Sequence, residues 1–186
     1  MALLSRRSLL TGVGSSLVTG VATSAHATVV RSVSLAALAK GSRGIAVVTP
    51  LASESHYEDL GRRRRIVTDT RVRIEESLAK AEGMDREVIV RTLGGSVGRE
   101  GERVHGQVQW AHSKPCVAFL LQGPEGVFYV NGMSQGHYPI LARGERLLTT
   151  SPDLPEIVDF ESSAVKVLSG TELGRARSLI RAAVQP

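Results

Sequence analysis

The sequence predicts a mainly β domain: a barrel or strongly curved antiparallel sheet, with a short N-terminal helix and a C-terminal capping helix. Three observations carry that reading. In the stretch from Arg65 to Gly98, Ile66, Thr68, Thr70, Val72 and Ile74 share one parity, and Val67, Asp69, Arg71, Arg73 and Glu75 share the other. A period of two marks a strand with one buried and one wet face. Further β-rich runs, each bounded by glycine or proline, lie at Ile45–Thr49, Glu87–Leu93, Pro115–Leu121 and Val127–Val130. Near the end, Leu173, Ala176, Leu179, Ile180 and Ala183 recur at helical spacing. Closing the sheet protects edges that strands of this number otherwise expose.

Residues 1–27 read as an export signal and stand apart from the fold. Arg6-Arg7 forms a charged n-region, Ser8 to Ala22 is apolar or small and uncharged, and Ala25-His26-Ala27 has the small-x-small cleavage form. Gly, Ser and Thr interrupt the apolar segment, which argues against a membrane anchor. Ser5-Arg6-Arg7-Ser8-Leu9-Leu10 is similar to a twin-arginine export signal, although its pattern is incomplete and general secretion stays open. Cleavage after Ala27 leaves 159 of the 186 residues, enough for one domain spanning 28–186. Losing Arg6 and Arg7 lowers the formal charge from +5 to +3. That excess suits solubility better than nucleic-acid binding. Cys116 is the only cysteine, which excludes an internal disulfide, and its apolar neighbours predict a buried core thiol.

Along the mature chain, Val29–Val33 is an initial strand or extended lead-in. Ser34 caps a short helix over Leu35–Lys40, ended by Gly41. Ile45–Thr49 is a buried strand stopping before Pro50. Ser53–Arg65 is polar, and its arginine run at 62–65 reads as the solvated start of a strand rather than a phosphate contact. No alternation of basic and aromatic residues extends it into a nucleic-acid platform. Val104, Val108 and Trp110 share parity opposite His105, Gln107 and Gln109, which predicts another half-buried strand, bent at Gly106. Gly123–Gly126 turns the chain into Val127–Val130. Tyr138–Leu141 and Arg146–Thr149 form a short pair. Ile157–Phe160 begins a strand or packs a loop, and Thr171 caps the last helix.

Two segments fit the G-x-S-x-G pattern of a hydrolase nucleophile turn: Gly94–Gly98 around Ser96 and Gly132–Gly136 around Ser134. Neither precedes a clear helix, since a glycine-containing polar loop follows the first and His137-Tyr138-Pro139 the second. Ser134 and His137, with Asp153 or Asp159 orienting the imidazole, form the one acyl-transfer arrangement to weigh against a structural turn. His56, His105 and His112 read as surface or hydrogen-bonding residues. His105 and His112 lack a distinctive ligand spacing, so no metal is expected. Glu75 and Glu76 are adjacent, which sends them to opposite faces of a strand and denies them an acid/base pairing. The glycine-rich segments lack both the P-loop and the complete dinucleotide pattern, so no cofactor is expected.

In layout, Ile45–Val48, Ile66–Glu75, Glu87–Thr92 and Pro115–Leu121 resemble a netrin-module or tissue-inhibitor-like domain over roughly Ser34 to Gly136. That resemblance implies an OB-like barrel with helical additions and a protein-binding role. The characteristic cysteine framework and the N-terminal cysteine of those inhibitors are missing here, so protease inhibition is not implied. Segments RIVTDTRVRIEE, VRTLGGSVG and NGMSQGHY are similar to uncharacterised exported proteins of Gram-negative bacteria, especially myxobacteria. The combined expectation is a periplasmic or secreted, non-catalytic binding or structural domain. Its partner is a protein or other envelope component, with no nucleic acid and no integral membrane segment in the mature chain. A small serine hydrolase using Ser134 and His137 is the alternative.

Overall fold

A computed structural model describes residues 29–185 except 62 and 144; the export signal expected over residues 1–27 lies outside the described residues. Among the described residues the chain begins with β1 (Val29–Arg31), α1 (Leu35–Gly41), β2 (Gly44–Leu60), β3 (Arg63–Ala79) and β4 (Glu87–Leu93). A small hairpin, β5 (Gly95–Val97) and β6 (Glu100–Glu102), precedes β7 (Cys116–Gln122), β8 (Phe128–Val130), β9 (His137–Arg143) and β10 (Glu145–Leu148). The chain ends with β11 (Glu156–Val158), α2 (Ala164–Leu168) and α3 (Leu173–Val184).

The main sheet has the order β10-β9-β7-β2-β3-β4-β8, and a further pairing of β7 with β8 closes β2, β3, β4, β8 and β7 into a five-stranded ring. Its ladders are antiparallel except between β4 and β8, where Val90 meets Phe128 in parallel. One edge of β7 is shared: Leu120–Gln122 pairs with β8, and Cys116–Ala118 pairs with β9. A five-stranded, partly closed ring of this kind is OB-like. Helices α1, α2 and α3 cover the outer face beside β2, β7 and β9.

Two cores lie on either side of that shared wall. Ala46, Val48, Cys116, Ala118 and Leu120 point into the ring. Ile45, Val47, Val117 and Phe119 point outward against Leu38, Leu168, Ala176 and Ile180 from the helices. Burial on both faces explains why Ile45–Val48 and Cys116–Leu120 are continuously apolar while β3 alternates.

Several expectations need correction. Strand β2 does not stop at Pro50 but runs on to Leu60, hairpin-paired with β3. Proline is tolerated because Val48–Cys116 is the last pair with β7, and the register shifts between Pro50 and Ala52. Leu51 is the extra residue of that bulge. It resets the parity so that Ser53 and Ser55 face inward opposite Thr70 and Thr68. Val67, assigned by period to the wet face, is fully buried. The stretch around Val104, Val108 and Trp110 is not a strand; Gly106 takes φ +79° and the segment crosses the end of the ring. Helix α1 ends through Ser42, which donates from both its backbone N–H and its hydroxyl to the Leu38 carbonyl, rather than through Gly41 in a left-handed turn. Glu172, not Thr171, caps α3 by accepting from Gly174 N–H at 3.1 Å, while Thr171 donates to the Val167 carbonyl behind α2.

A polar cleft at one end of the ring

The inner wall changes character along the strand register. Val72 pairs with Val88 in an apolar layer. Ser53, Thr70 and Val90 make the next, and Ser55, Thr68 and Thr92 the one nearest the end. The hydroxyls of Ser53 and Thr70 share a hydrogen bond of 2.8 Å, as do those of Ser55 and Thr68. Thr68 also donates to the Gly94 carbonyl at 2.7 Å. Each hydroxyl combines one donor with two acceptor lone pairs, so these pairs retain unused capacity.

A cleft of about 220 Å³ opens at this end, between the hydroxyl wall and the segment running from Glu102 to Trp110. Val108 anchors that segment by packing into the inner core. Gln107, Gln109 and Trp110 complete its polar side. Close approach at the rim requires glycine. Gly94 has φ +91°, and a Cβ there would stand 2.7 Å from the Glu102 carbonyl oxygen. A Cβ on Gly95 would collide with the Thr68 and Ser55 hydroxyls.

Charge at the cleft is internally balanced. Arg65 clamps Glu102, whose second oxygen accepts from Ile66 N–H at 3.0 Å. The Arg65 bond, followed by that backbone bond, holds the Glu102 carboxyl below its ordinary range. Arg103 bridges to Asp153 at 3.0 Å. On the outer face of the same strands Arg91 binds Asp69 through two bonds of 2.6 and 2.7 Å and reaches Glu58 at 2.5 Å.

The sequence-derived candidates lie elsewhere. Ser96 sits in the β5–β6 hairpin and is exposed, so its glycine-rich segment is a strand pairing and not a strand-to-helix turn. Ser134 is buried in a 3₁₀ turn over Met133–Gly136, its N–H donating to the Gly106 carbonyl at 2.9 Å. His137 begins β9, and its Nδ1 engages Ser151 Oγ at 3.0 Å rather than Ser134. Trp110 meets the imidazole edge-on, with ring centroids 5.1 Å apart. Burial lowers the imidazole to a pKa of about 4, which keeps it neutral at pH 7. Asp153 is bonded to Arg103, and Asp159 starts a 3₁₀ turn in the left-handed region at φ 58°. His137 lines a second, largely apolar cavity of about 280 Å³ with Cys116, Pro139 and Ile140. Cys116 is buried, its thiol pushed far above its ordinary range by desolvation, and it donates to the Val48 carbonyl.

Among the described residues no group of three or more His, Cys, Asp or Glu gathers where a metal would sit, at His105 and His112 or elsewhere. Glu75 bonds Arg73 and Glu76 bonds Arg177, which gives each carboxylate its own cation. Among the described residues no helix is long and apolar enough to cross a membrane. Compared with protein-family models, curated proteins and solved structures, the chain finds no match.

Sequence reasoning missed the cleft and the His137–Ser151 pair. The available signal was Thr68 and Thr70 on the parity read as buried: hydroxyls on a core face need partners. Ser151 carried no signal, because its contact with His137 depends on the fold.

Proposed function

We propose that this chain is an exported, non-catalytic binding domain that acts on an envelope or secreted partner through the cleft at the polar end of its ring. The cleft is the observation that supports this reading. A few convergent polar groups held on rigid strands at a barrel mouth suit ligand recognition. The serine-hydrolase alternative has less behind it, because His137 spends Nδ1 on Ser151 and one of the acids weighed for it, Asp153, is bonded to Arg103.

Two measurements on the purified full chain test the proposal. Short-chain p-nitrophenyl esters are expected to give the same background turnover with wild type and Ser134→Ala. An envelope component captured by wild type is expected to be retained by Ser134→Ala and lost with Gln107→Ala. Ester turnover abolished by Ser134→Ala in a folded variant overturns the binding reading, as does capture indifferent to the cleft.

A further inference from the structure

We infer that the cleft takes a neutral, polyhydroxylated ring: a single sugar unit, either free or at the end of a glycan. The inference rests on the binding reading above and adds the chemical class of the ligand.

Four features converge on it. The first is the wall chemistry. Ser53, Thr68 and Thr92 supply hydroxyls, with the fully buried Thr70 bonded behind Ser53, and Gln107 and Gln109 supply carboxamides. Each of these groups both donates and accepts. A ligand whose own hydroxyls do both meets such a wall without leaving an unmatched donor or acceptor. The second is charge. Glu102 and Arg103 each carry a counter-charge, Arg65 and Asp153 respectively, so the charged part of the lining is locally balanced. A phosphate or nucleic-acid backbone requires the opposite, an uncompensated basic surface.

The third feature is the indole. Trp110 lines the cleft, and its Nε1 is buried with no hydrogen-bond partner among the described residues. Its apolar body adds a nonpolar patch to an otherwise polar lining, which suits the C–H side of a sugar ring, while the N–H is turned away from solvent. The fourth is size. A volume of about 220 Å³ lies below the roughly 300 Å³ at which drug-sized pockets begin, so it suits one ring and not an extended chain.

Trp110 is the only tryptophan, which makes intrinsic fluorescence a direct reporter of the cleft. The purified full chain is titrated with D-glucose, D-galactose, N-acetyl-D-glucosamine, maltotetraose and chitotetraose. Inorganic phosphate and a short oligonucleotide serve as anionic probes. A saturable change with at least one neutral sugar is expected, weakened about tenfold by Gln107→Ala and by Thr92→Val, as losing one well-made hydrogen bond implies. Far-UV circular dichroism establishes that each variant is folded, and Gln109→Ala at the exposed rim replaces either variant that is not. Response to a free monosaccharide assigns the source to free sugar. Response to a tetrasaccharide alone assigns it to a glycan end. Silence toward every neutral sugar, response only to the anionic probes, or sugar binding untouched by the cleft variants overturns the inference. If sugars are silent while envelope capture still depends on Gln107, the ligand class is wrong and the binding reading stands. If capture is also indifferent to Gln107, both fall.

Discussion

Strand β2 is two strands in one. From Ile45 to Val48 it is covered on both sides, with Ala46 and Val48 in the ring and Ile45 and Val47 under the helices. From Ser53 to Glu58 it has left β7 and keeps β3 alone as its long ladder partner. Its inner side chains there are hydroxyls, and on the outer side Glu58 joins the charge cluster around Arg91 and Asp69. The first half stabilises the fold by removing apolar surface from water on two faces. The second contributes little apolar burial and lines the cleft. On the proposed binding reading, stability and recognition are separated along one continuous strand, and substitutions in the two halves are expected to have different consequences.

The largest effect belongs to the doubly covered half. Phe119 on β7 is fully buried and meets Tyr138 edge-on at 6.1 Å. Phe119→Ala is expected to cost about 3–5 kcal/mol in urea unfolding, from lost transfer free energy plus the cavity left behind. A cost under about 1 kcal/mol would show that this wall is not the anchor.

The next effect is a pH dependence on β9, where His137 pairs with Ala118 beside the doubly covered half. His137 has its pKa depressed from 6.5 to about 4 by burial, so the unfolded chain binds the proton that the folded chain refuses. Between those values the unfolded state holds more protons, and stability rises with pH. The contribution is complete above about pH 6.5 and is lost as pH falls toward 4, at about 1.4 kcal/mol per unit. Unfolding free energies measured from pH 7 to 4 are expected to fall by on the order of 3 kcal/mol from this residue, and His137→Gln is expected to flatten that slope. An unchanged slope would mean that the imidazole is solvated.

How much of this was legible in the sequence follows the same division. Strand β4 runs from Glu87 to Leu93 as its alternation indicates, and the α3 stripe through Leu173, Ala176 and Ile180 is buried as spaced. Regular periods are local, so they survive without knowledge of neighbours. The failures are non-local. Val104, Val108 and Trp110 alternate because their segment straddles the ring end, with Val108 inside, and not because a partner strand pairs with them. Helix α2 spans only Ala164–Leu168, too short to show a period. The cleft depends on a one-residue bulge at Leu51, which puts Ser53 and Ser55 inside; nothing in the residue types around Pro50 announces that shift.

A smaller effect sits on the outer face of the second half. Arg91 is mostly buried and holds Asp69 and Glu58 together, which raises its own pKa through the Asp69 bond above all. Arg91→Met leaves two partly buried carboxylates facing one another. The expected loss is about 2 kcal/mol, less than the 3–5 kcal/mol of a fully buried pair because Asp69 and Glu58 retain contact with water. Double-mutant cycles with Asp69→Asn measure the coupling, and a value near zero would make this cluster ordinary surface.

The smallest effect tests the separation most sharply. Thr92 donates a long bond, 3.4 Å, to the Thr68 carbonyl, an oxygen on the strand paired with it. Thr92→Val removes one hydroxyl and keeps the branched shape that suits a strand. The group left behind is a carbonyl with a second lone pair at the edge of a cleft, so the desolvation penalty of a sealed, orphaned acceptor does not apply in full. Urea unfolding is expected to change by no more than about 1 kcal/mol, while fluorescence titration loses about tenfold in sugar affinity. A stability cost above about 2 kcal/mol would instead make the hydroxyl layer part of the structural anchor. In that case the polar end of the ring is built for packing, and the division along β2 is one of composition without a division of labour.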